Sequence, residues 1–289
     1  MTWADRCFSS IRRSTVMPDV FVVDNGSTDG TQAYIQERFP EVLFIQSEKN
    51  LGFGKANNIG LQYALDNGYD YVYLLNQDAW IENDTIERLV SLSINNPGYG
   101  ILSPFQMSNG LKLIDKNFAS VVLSSDSCPF FMNELYNHEM RDVYNVKGVM
   151  AAHWFMTRNC LLKVGGFSPS FPHYGEDDNY IDRLFFKGLK VGIVPSLRVV
   201  HDRELRTDSM EKKIYLLYIK TIRELSNPNE RIKRPFVKAL SMAVRGLLIF
   251  KSLTPFSYFF KIVFSYNRIS RNRLISMNQE CAFLVNKSL

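Results

Sequence analysis

The sequence predicts an α/β fold in which helices flank a largely parallel sheet, followed by a basic helical extension. Short apolar runs alternate with helical patterns through the first part of the chain, and two of these runs stop abruptly at Asp24 and Asp78. Residues 207–289 carry 15 Lys and Arg against 5 Asp and Glu, a balance of +10, whereas residues 1–206 have a balance of −5. We therefore expect one α/β domain over 1–206 and a helical extension over 207–289.

The bulk composition is that of an ordinary globular protein. The 289 residues are enough to bury a full core, and 46% of them are apolar and 22% charged. The chain has four cysteines, which are Cys7, Cys128, Cys160 and Cys281. They lie too far apart in sequence for zinc-ligand spacing, and the N-terminus lacks the apolar segment of a signal peptide. These features favour a reducing compartment and a cytoplasmic protein.

The expected strands and helices can be followed in order along the chain. Strands are predicted over residues 20–23, 42–46, 71–75 and 100–105, with helices between them over 32–39, 55–67 and 84–94. Residues 106–146 are irregular and rich in aromatic and polar side chains, which predicts loops. Beyond them the pattern predicts a strand over 148–157, a helix over 176–187, and short strands over 191–194 and 197–200.

The first polar strand end is the Asp24-Asn25-Gly26 loop. Asn-Gly is a strong hairpin signal, but here the chain continues through small polar residues into a helix instead of returning to a strand. A carboxylate at such a strand end can accept from a base N–H or a ribose hydroxyl. We therefore expect Asp24, Asn25 and Gly26 to bind a nucleotide.

A glycine-rich segment follows the second predicted strand, with Gly52 and Gly54 in a Gly-x-Gly arrangement. Asn57 stands where a dinucleotide fingerprint needs its third glycine, which speaks against a dehydrogenase. The segment remains suited to a loop whose backbone approaches a nucleotide, with Asn57 as a polar contact on the next helix.

Three further candidates are Asp78, the Glu176-Asp177-Asp178 run and His201. A carboxylate at the end of a strand, beside a diphosphate, is a typical ligand of a divalent cation. Taken singly, each candidate has an ordinary explanation: a turn residue, a helix start that complements the macrodipole, and a histidine at a strand end. Their functional interpretation depends on their occurring together.

In order and spacing these motifs resemble glycosyltransferase family 2, which has the GT-A fold, and within it the bacterial rhamnosyltransferase-like branch. The matching segments are Val22 to Thr31, Asn50 to Gly60, Leu75 to Asp78, Gly165 to Phe167, Tyr174 to Asp177, and Val199 to His201. The resemblance covers about residues 3–205, which would make residues 1–206 the GT-A domain.

This resemblance implies an inverting, metal-dependent transfer of a sugar, with rhamnose as one candidate, from a UDP- or dTDP-linked donor to a glycan or lipid-linked acceptor in cell-surface polysaccharide synthesis. By motif, Asp24 would contact the base or ribose. Asn76 and Asp78 would take the first and last positions of a D-x-D-like motif, with Asp78 binding Mg²⁺ or Mn²⁺. Asp177 would be the catalytic base, and His201 a further contact to metal or diphosphate. Nucleic acid is not an expected partner.

One departure from the family concerns the N-terminus. The family normally begins with a strand that ends in a Thr-Tyr-Asn-like triplet, and this sequence begins with the segment that should follow it. Either the true start lies upstream or the sheet has lost a strand. Three hypotheses therefore stay open: an active glycosyltransferase, a catalytically degenerate relative that acts as a binding partner in glycan assembly, and a different nucleotide-binding enzyme such as a nucleotidyltransferase.

The extension is expected to contact a membrane surface. Its most apolar stretch, residues 239–264, is interrupted by Arg245, Lys251, Pro255 and Lys261, which favours an interfacial helix pair over a spanning helix. The basic balance predicts attraction to anionic lipid and adds the inner face of the cell membrane to a cytoplasmic location. The alternative is a basic helix pair that packs on the preceding domain.

Overall fold

The structure is a computed structural model that describes residues 2–203 and 208–285. The helices are α1 (Ala4–Arg12), α2 (Thr31–Arg38), α3 (Phe53–Asp66), α4 (Thr85–Asn95), α5 (Lys116–Val122), α6 (Phe131–Tyr136), α7 (Arg158–Val164), α8 (Glu176–Phe186), α9 (Met210–Ser226), α10 (Pro235–Phe250) and α11 (Thr254–Asn278). The strands are β1 (Phe21–Asp24), β2 (Leu43–Gln46), β3 (Tyr71–Leu75), β4 (Ala79–Trp80), β5 (Tyr99–Met107), β6 (Tyr144–Asn145), β7 (His153–Thr157) and β8 (Lys190–His201).

The strands form two separate sheets. β1 and β2 pair in parallel as a two-stranded unit, and the larger sheet has the order β3-β7-β5-β8-β4, with β6 also paired to β8. The predicted α/β class is confirmed. β3, β5 and β8 run in one direction, but β7 lies between β3 and β5 in the opposite direction, and the short β4 and β6 are antiparallel to β8. The larger sheet is therefore mixed, because β4, β6 and β7 run opposite to β3, β5 and β8.

The main core lies between the larger sheet and helices α3, α5, α7 and α8. Trp154 on β7 is fully buried and stacks on Phe167, with ring centroids 6.0 Å apart, while Tyr180 of α8 contacts both rings. Burying rings of this size is among the larger favourable terms in folding. This aromatic group fixes the segment that leads into α8 and thereby the position of the Glu176-Asp177-Asp178 run.

The segment 106–146 was predicted as loops, and this prediction is wrong. It contains α5, α6 and β6, because apolar side chains at helical spacing, Phe118 and Val122, are fully buried in the core together with Phe131.

The two short strands predicted over 191–194 and 197–200 are one strand, β8, whose pairing with β5 shifts register after Val194. The strand predicted over 148–157 begins only at His153. Helices α1 and α7 were not anticipated.

The helix pair expected over residues 239–264 is present as α10 and α11, and α9 precedes it as a third helix of the extension. They pack around a second core that includes Ile222, Ala239, Met242, Ile262 and Ile269. After α11 the chain returns to the first domain, where the carbonyl of Ala282 accepts from the Gly166 N–H at 2.8 Å. In the ranges described, every helix is too short or too polar to cross a membrane. The extension is thus packed against the α/β part at both of its ends.

Candidate active site

Asp24 stands at the carboxyl end of β1 and is buried. One carboxylate oxygen accepts from the Ser27 backbone N–H at 2.9 Å, and the other accepts from the Ser27 hydroxyl at 2.5 Å. The side chain therefore holds its own loop closed and shapes the surface that a nucleotide would meet.

The loops after β1 and β2 are joined to each other. Asn25 accepts from the Leu51 N–H at 2.6 Å and donates to the Asn50 side chain at 3.0 Å. Gly26 has a left-handed φ of 85°, and a Cβ there would lie 2.9 Å from the Lys49 carbonyl carbon. Only glycine combines this conformation with so close an approach. Asp24, Asn25 and Gly26, which are predicted to bind a nucleotide, thus lie in a loop that is hydrogen-bonded to the loop after β2.

The two asparagines at the start of α3 have different roles. The amide of Asn57 donates to the Phe53 carbonyl at 2.9 Å, one turn back in its own helix. Asn58 binds both the N–H and the carbonyl of Phe167, at 2.7 and 3.0 Å. Asn58 is therefore a structural link between the glycine loop and the segment before α8.

Asp78 and His201 face each other at the end of the larger sheet. Pairing of Ala79 with His201 brings the imidazole Nε2 to 3.5 Å from an Asp78 carboxylate oxygen. Burial acts to raise the pKa of Asp78, but the hydrogen bond and charge of His201 outweigh it, so the pKa is lowered. Asp78 is therefore an ionised, partly buried carboxylate.

The donor set of this pair fits a divalent cation. A carboxylate oxygen and an imidazole nitrogen are both ligands that Mn²⁺ accepts, and Mg²⁺ commonly takes one or two carboxylates together with substrate phosphates. Within the described ranges, no group of three or more His, Cys, Asp or Glu side chains is placed to bind a metal alone. Arg203 lies 2.8 Å from His201 Nδ1, so a metal at Nε2 would require the imidazole proton to move to Nδ1 and the guanidinium to shift. Asp78 is consequently the better-placed ligand of the two.

The Glu176-Asp177-Asp178 run forms the first turn of α8, as expected from the sequence. Asp177 accepts from the Asp178 N–H at 2.8 Å, and burial raises the pKa of its carboxyl. Burial also raises the pKa of Glu176 to about 7, and partial burial together with the adjacent Asp177 charge raises that of Asp178, whose side chain is half exposed. In the described part of the chain, Oε2 of the buried Glu176 has no hydrogen-bond partner. The turn therefore holds three carboxyl groups that bind protons more tightly than usual.

A series of contacts brings the separate motifs to one edge of the fold. The Asn25–Leu51 hydrogen bond is the first of these contacts. The backbone at Gly52 and Gly54 then passes close to the segment that leads into α8: an added Cβ on Gly52 would lie 2.7 Å from the Pro172 carbonyl oxygen, and one on Gly54 would lie 3.8 Å from the Glu176 Cβ. The glycine loop therefore lies against the start of α8.

The same edge includes the metal candidate. The Ala151 backbone N–H lies near enough to the Asp177 carboxylate to favour its ionised form, and the carbonyl of the next residue, Ala152, accepts from the Asn76 N–H at 3.2 Å. The Asn76 carbonyl in turn accepts from Ala79 at 3.1 Å, which forms the turn that presents Asp78. Asp177 and the Asn76–Asp78 turn thus lie against two consecutive residues, Ala151 and Ala152.

A cavity of about 350 Å³ adjoins Asp177. Its lining comes from α8 and the residues before it, and from α9 of the extension; it comprises Tyr174, Gly175, Asp177, Asp178, Leu216, Ile219, Lys220 and Arg223. Arg223 forms ion pairs with Asp178 and Asp182. No sequence motif marks Arg223, since it is one of 15 basic residues in a segment that is expected to face a membrane.

The fold and this edge define a glycosyltransferase of the GT-A class. The chain belongs to glycosyltransferase family 2: its residues 3–157 match the model of "Glycosyl transferase family 2". It is similar to N-acetylglucosaminyl-diphospho-decaprenol L-rhamnosyltransferase of Mycobacterium tuberculosis, with 27% identity over 224 residues that cover 69% of this chain and 71% of that protein. It is also 22% identical over 251 residues to the low-salt glycan biosynthesis hexosyltransferase Agl10 of Haloferax volcanii, covering 83% of this chain and 78% of that protein.

Solved structures show the same fold. TarS of S. aureus, residues 1–349 in complex with UDP-GlcNAc, has a TM-score of 0.55 at 14% identity and covers 96% of this chain and 80% of that chain. GalNAc-T7 with UDP, GalNAc and Mn²⁺ has a TM-score of 0.55 at 14% identity and covers 92% of this chain, which spans 55% of that longer chain. The GT-A fold predicted from the sequence is confirmed.

Proposed function

We propose that this glycosyltransferase moves a sugar, with inversion, from a UDP- or dTDP-linked donor to a glycan or lipid-linked acceptor in cell-surface polysaccharide synthesis. The observation that carries the proposal is the continuous set of contacts from the Asp24 loop through the glycine loop to Asp177 and Asp78. Rhamnose is the favoured sugar, because the relative at 27% identity is named as a rhamnosyltransferase acting on a diphospho-decaprenol compound. The division into a catalytic domain over 1–206 and an extension over 207–289 stays part of this proposal.

Donor binding falls to the loops and to Asp78. Asp24, Asn25 and Gly26 shape the surface for base and ribose, with Asn57 and Asn76 on neighbouring loops. Asp78, with His201 beside it, would hold Mg²⁺ or Mn²⁺. When bound, the cation supplies charge neutralisation for the diphosphate leaving group.

Asp177 accepts the proton of the acceptor hydroxyl. As the acceptor oxygen bonds to the anomeric carbon, the bond from that carbon to the diphosphate breaks and its electron pair leaves with the phosphate oxygen. An ordinary Asp carboxylate, with a pKa of about 3.9, is a weak base for this step. Burial raises the pKa of Asp177, which makes its carboxylate a stronger base than the sequence alone suggests.

The test combines a transfer assay with calorimetry. The chain is incubated with Mn²⁺, dTDP-L-rhamnose or a UDP-sugar, and an N-acetylglucosaminyl-diphospho-lipid, and the product is identified by mass and by anomeric configuration in NMR. We expect a single inverted product and donor binding that requires the cation. Equal UDP or dTDP affinity in EDTA would remove the metal from the proposal.

One observation favours the alternative of a non-catalytic binding partner. Asp24 ends β1 of the two-stranded unit, whereas Asp78 lies in the turn between β3 and β4 of the larger sheet, so the nucleotide and metal candidates are not fixed by one continuous hydrogen-bonded sheet. A thermal-shift screen of nucleotide sugars, combined with the transfer assay, distinguishes the active enzyme from the non-catalytic binding partner. Binding of a donor without any transfer would support the degenerate protein, and product formation would exclude it.

We also propose that the extension binds the anionic inner face of the cell membrane peripherally. Along α10 several apolar side chains are exposed, namely Phe236, Val237, Leu240, Val244, Leu248 and Ile249. Arg245 lines the same surface, and α11 adds the exposed Phe260 and Phe264 with Lys261 nearby. An exposed apolar face edged by basic residues is suited to the headgroup region of an anionic bilayer.

A further inference from the structure

Arg223 connects the extension to the helix that carries Asp177. Its Nε and Nη2 donate to the two carboxylate oxygens of Asp182 at 2.8 and 3.0 Å, and its Nη1 lies 3.0 Å from Asp178 Oδ1. The Asp182 side chain is only 9% exposed, whereas that of Asp178 is 51% exposed. The guanidinium therefore forms a bidentate, largely buried ion pair with Asp182. Its remaining nitrogen, Nη1, pairs with Asp178, the residue that follows Asp177.

The rest of α9 is fitted closely to the same region. A Cβ on Gly175 would lie 2.6 Å from Ile219 Cγ2, and the Tyr215 hydroxyl donates to the His173 carbonyl at 2.9 Å. The backbone just before α8 and the middle of α9 thus have little freedom to separate. Arg223 is presented to α8 from a fixed position.

The charge around Asp177 is dominated by carboxyl groups. The charged and titratable groups that line the same cavity are Tyr174, Asp178, Lys220 and Arg223; Glu176 adjoins Asp177 in α8, and Asp182 lies further along that helix beside Arg223. Neighbouring carboxylates disfavour one another's ionised forms, and a nearby guanidinium favours them. Burial raises the pKa of Asp177, and the charge of Arg223 opposes this rise.

We propose that Arg223 is a positioning residue of the active site, which neutralises Asp178 and Asp182 so that Asp177 stays ionised and ready to accept the acceptor proton. The inference rests on the proposed role of Asp177 as base. With this role for Arg223, α9 of the extension belongs to the catalytic centre.

The direct test is a ¹³C NMR titration of the Asp carboxyl groups, with the Asp177 signal assigned by its loss in Asp177→Asn. In Arg223→Gln we expect the Asp177 midpoint to rise by about one pH unit, the low end of the roughly 1–3 units that an adjacent opposite charge is worth, because Arg223 pairs with the neighbouring Asp178. Arg223→Lys keeps the charge and should leave the midpoint close to that of the wild type. An unchanged midpoint in Arg223→Gln would overturn the inference, and so would an equal rise in Lys220→Gln, which removes a charge from the same cavity without breaking either ion pair.

The transfer assay gives the functional readout. The acidic limb of the pH–rate profile should move to higher pH in Arg223→Gln by the same amount, a loss of about tenfold on that limb with recovery at alkaline pH. The double variant Arg223→Gln/Asp182→Asn removes the buried unpaired carboxylate and should regain melting temperature, while its acidic limb should return only part of the way because Asp178 still lacks its partner. A rate loss equal at all pH values would mean a purely structural role and contradict the inference. If Asp177→Asn spares transfer while the NMR shift is seen, the base assignment fails and the coupling stands.

Discussion

The α/β part and the helical extension differ in how their contribution to the site is encoded. In residues 2–203 the candidate residues lie at strand ends and at a helix start, where local motifs mark them. In residues 208–285 the contribution comes from the packing of α9 on α8, and Arg223 has no motif around it. The difference teaches that a boundary drawn from composition, at residue 206 or 207, need not be a boundary of the active site.

The largest expected effect tests the α/β part. Asp177→Asn keeps the shape of the side chain and removes its ability to accept a proton, so we expect a fall in kcat of about 10² to 10⁴. Donor affinity, measured by calorimetry with Mn²⁺, should barely change because Asp78 and the loops hold the donor.

The matched controls for this change are Glu176→Gln and Asp178→Asn, which should cost much less in turnover, and the exposed Asp142→Asn, which should cost nothing. If Glu176→Gln abolishes transfer and Asp177→Asn spares it, the base has been assigned to the wrong carboxyl group.

The second prediction asks whether the two regions unfold together. Trp154→Ala in the main core and Ile262→Ala in the core of the extension should each lower the free energy of unfolding, by about 3–5 and 2–5 kcal/mol. Because α9 is tied to α8 and residues after α11 return to Gly166, both changes should shift one common transition in calorimetry. Two separate transitions, each moved by only one variant, would show that the regions are energetically independent.

The third prediction concerns Glu176, which is 5% exposed and has its pKa raised to about 7 by burial. The pKa of this carboxyl group is higher in the folded state than its unfolded value of about 4.5. Its protonated form therefore adds fully to the free energy of unfolding below pH 4.5, and this addition is lost as pH rises through 7. Glu176→Gln should therefore raise the free energy of unfolding by up to about 3 kcal/mol above pH 7, relative to its effect below pH 4.5. Denaturant unfolding at pH 4 and pH 8 measures this, with the exposed Glu139→Gln as control. An equal effect at both pH values would contradict the buried, protonated form.

The smallest expected effect tests the extension alone. Leu248→Asp, on the 73% exposed Leu248 of α10, should weaken binding to anionic liposomes by about tenfold, and high salt should weaken it further. The control is Leu113→Asp, since Leu113 is 71% exposed but lies outside the extension. Equal flotation with neutral and anionic liposomes, or equal loss in both variants, would remove the membrane from the proposal.

Many residues of the candidate site could be located from the sequence because their positions follow from local rules. Asp24 ends β1, Asp78 lies in the turn after β3, and Asp177 lies in the first turn of α8, so each is visible in a short window of sequence. The loops predicted over 106–146 failed because burial of Phe118 and Phe131 depends on distant partners such as Phe105. Arg223 was missed for the same reason, since its partner Asp182 is 41 residues away in sequence.

The separation of the β1–β2 unit from the larger sheet has a consequence for how this protein behaves in solution. Within the described residues β1 pairs only with β2, and β3 pairs only with β7, so each strand has one edge whose N–H and C=O groups meet no neighbouring strand. Such edges are templates for pairing with an extended segment of another molecule. β2 has a similar edge, since among the described residues it pairs only with β1, so self-association of this chain should begin at β1, β2 or β3. A charged or proline substitution on one of these edges is the first change to make when the protein precipitates at high concentration.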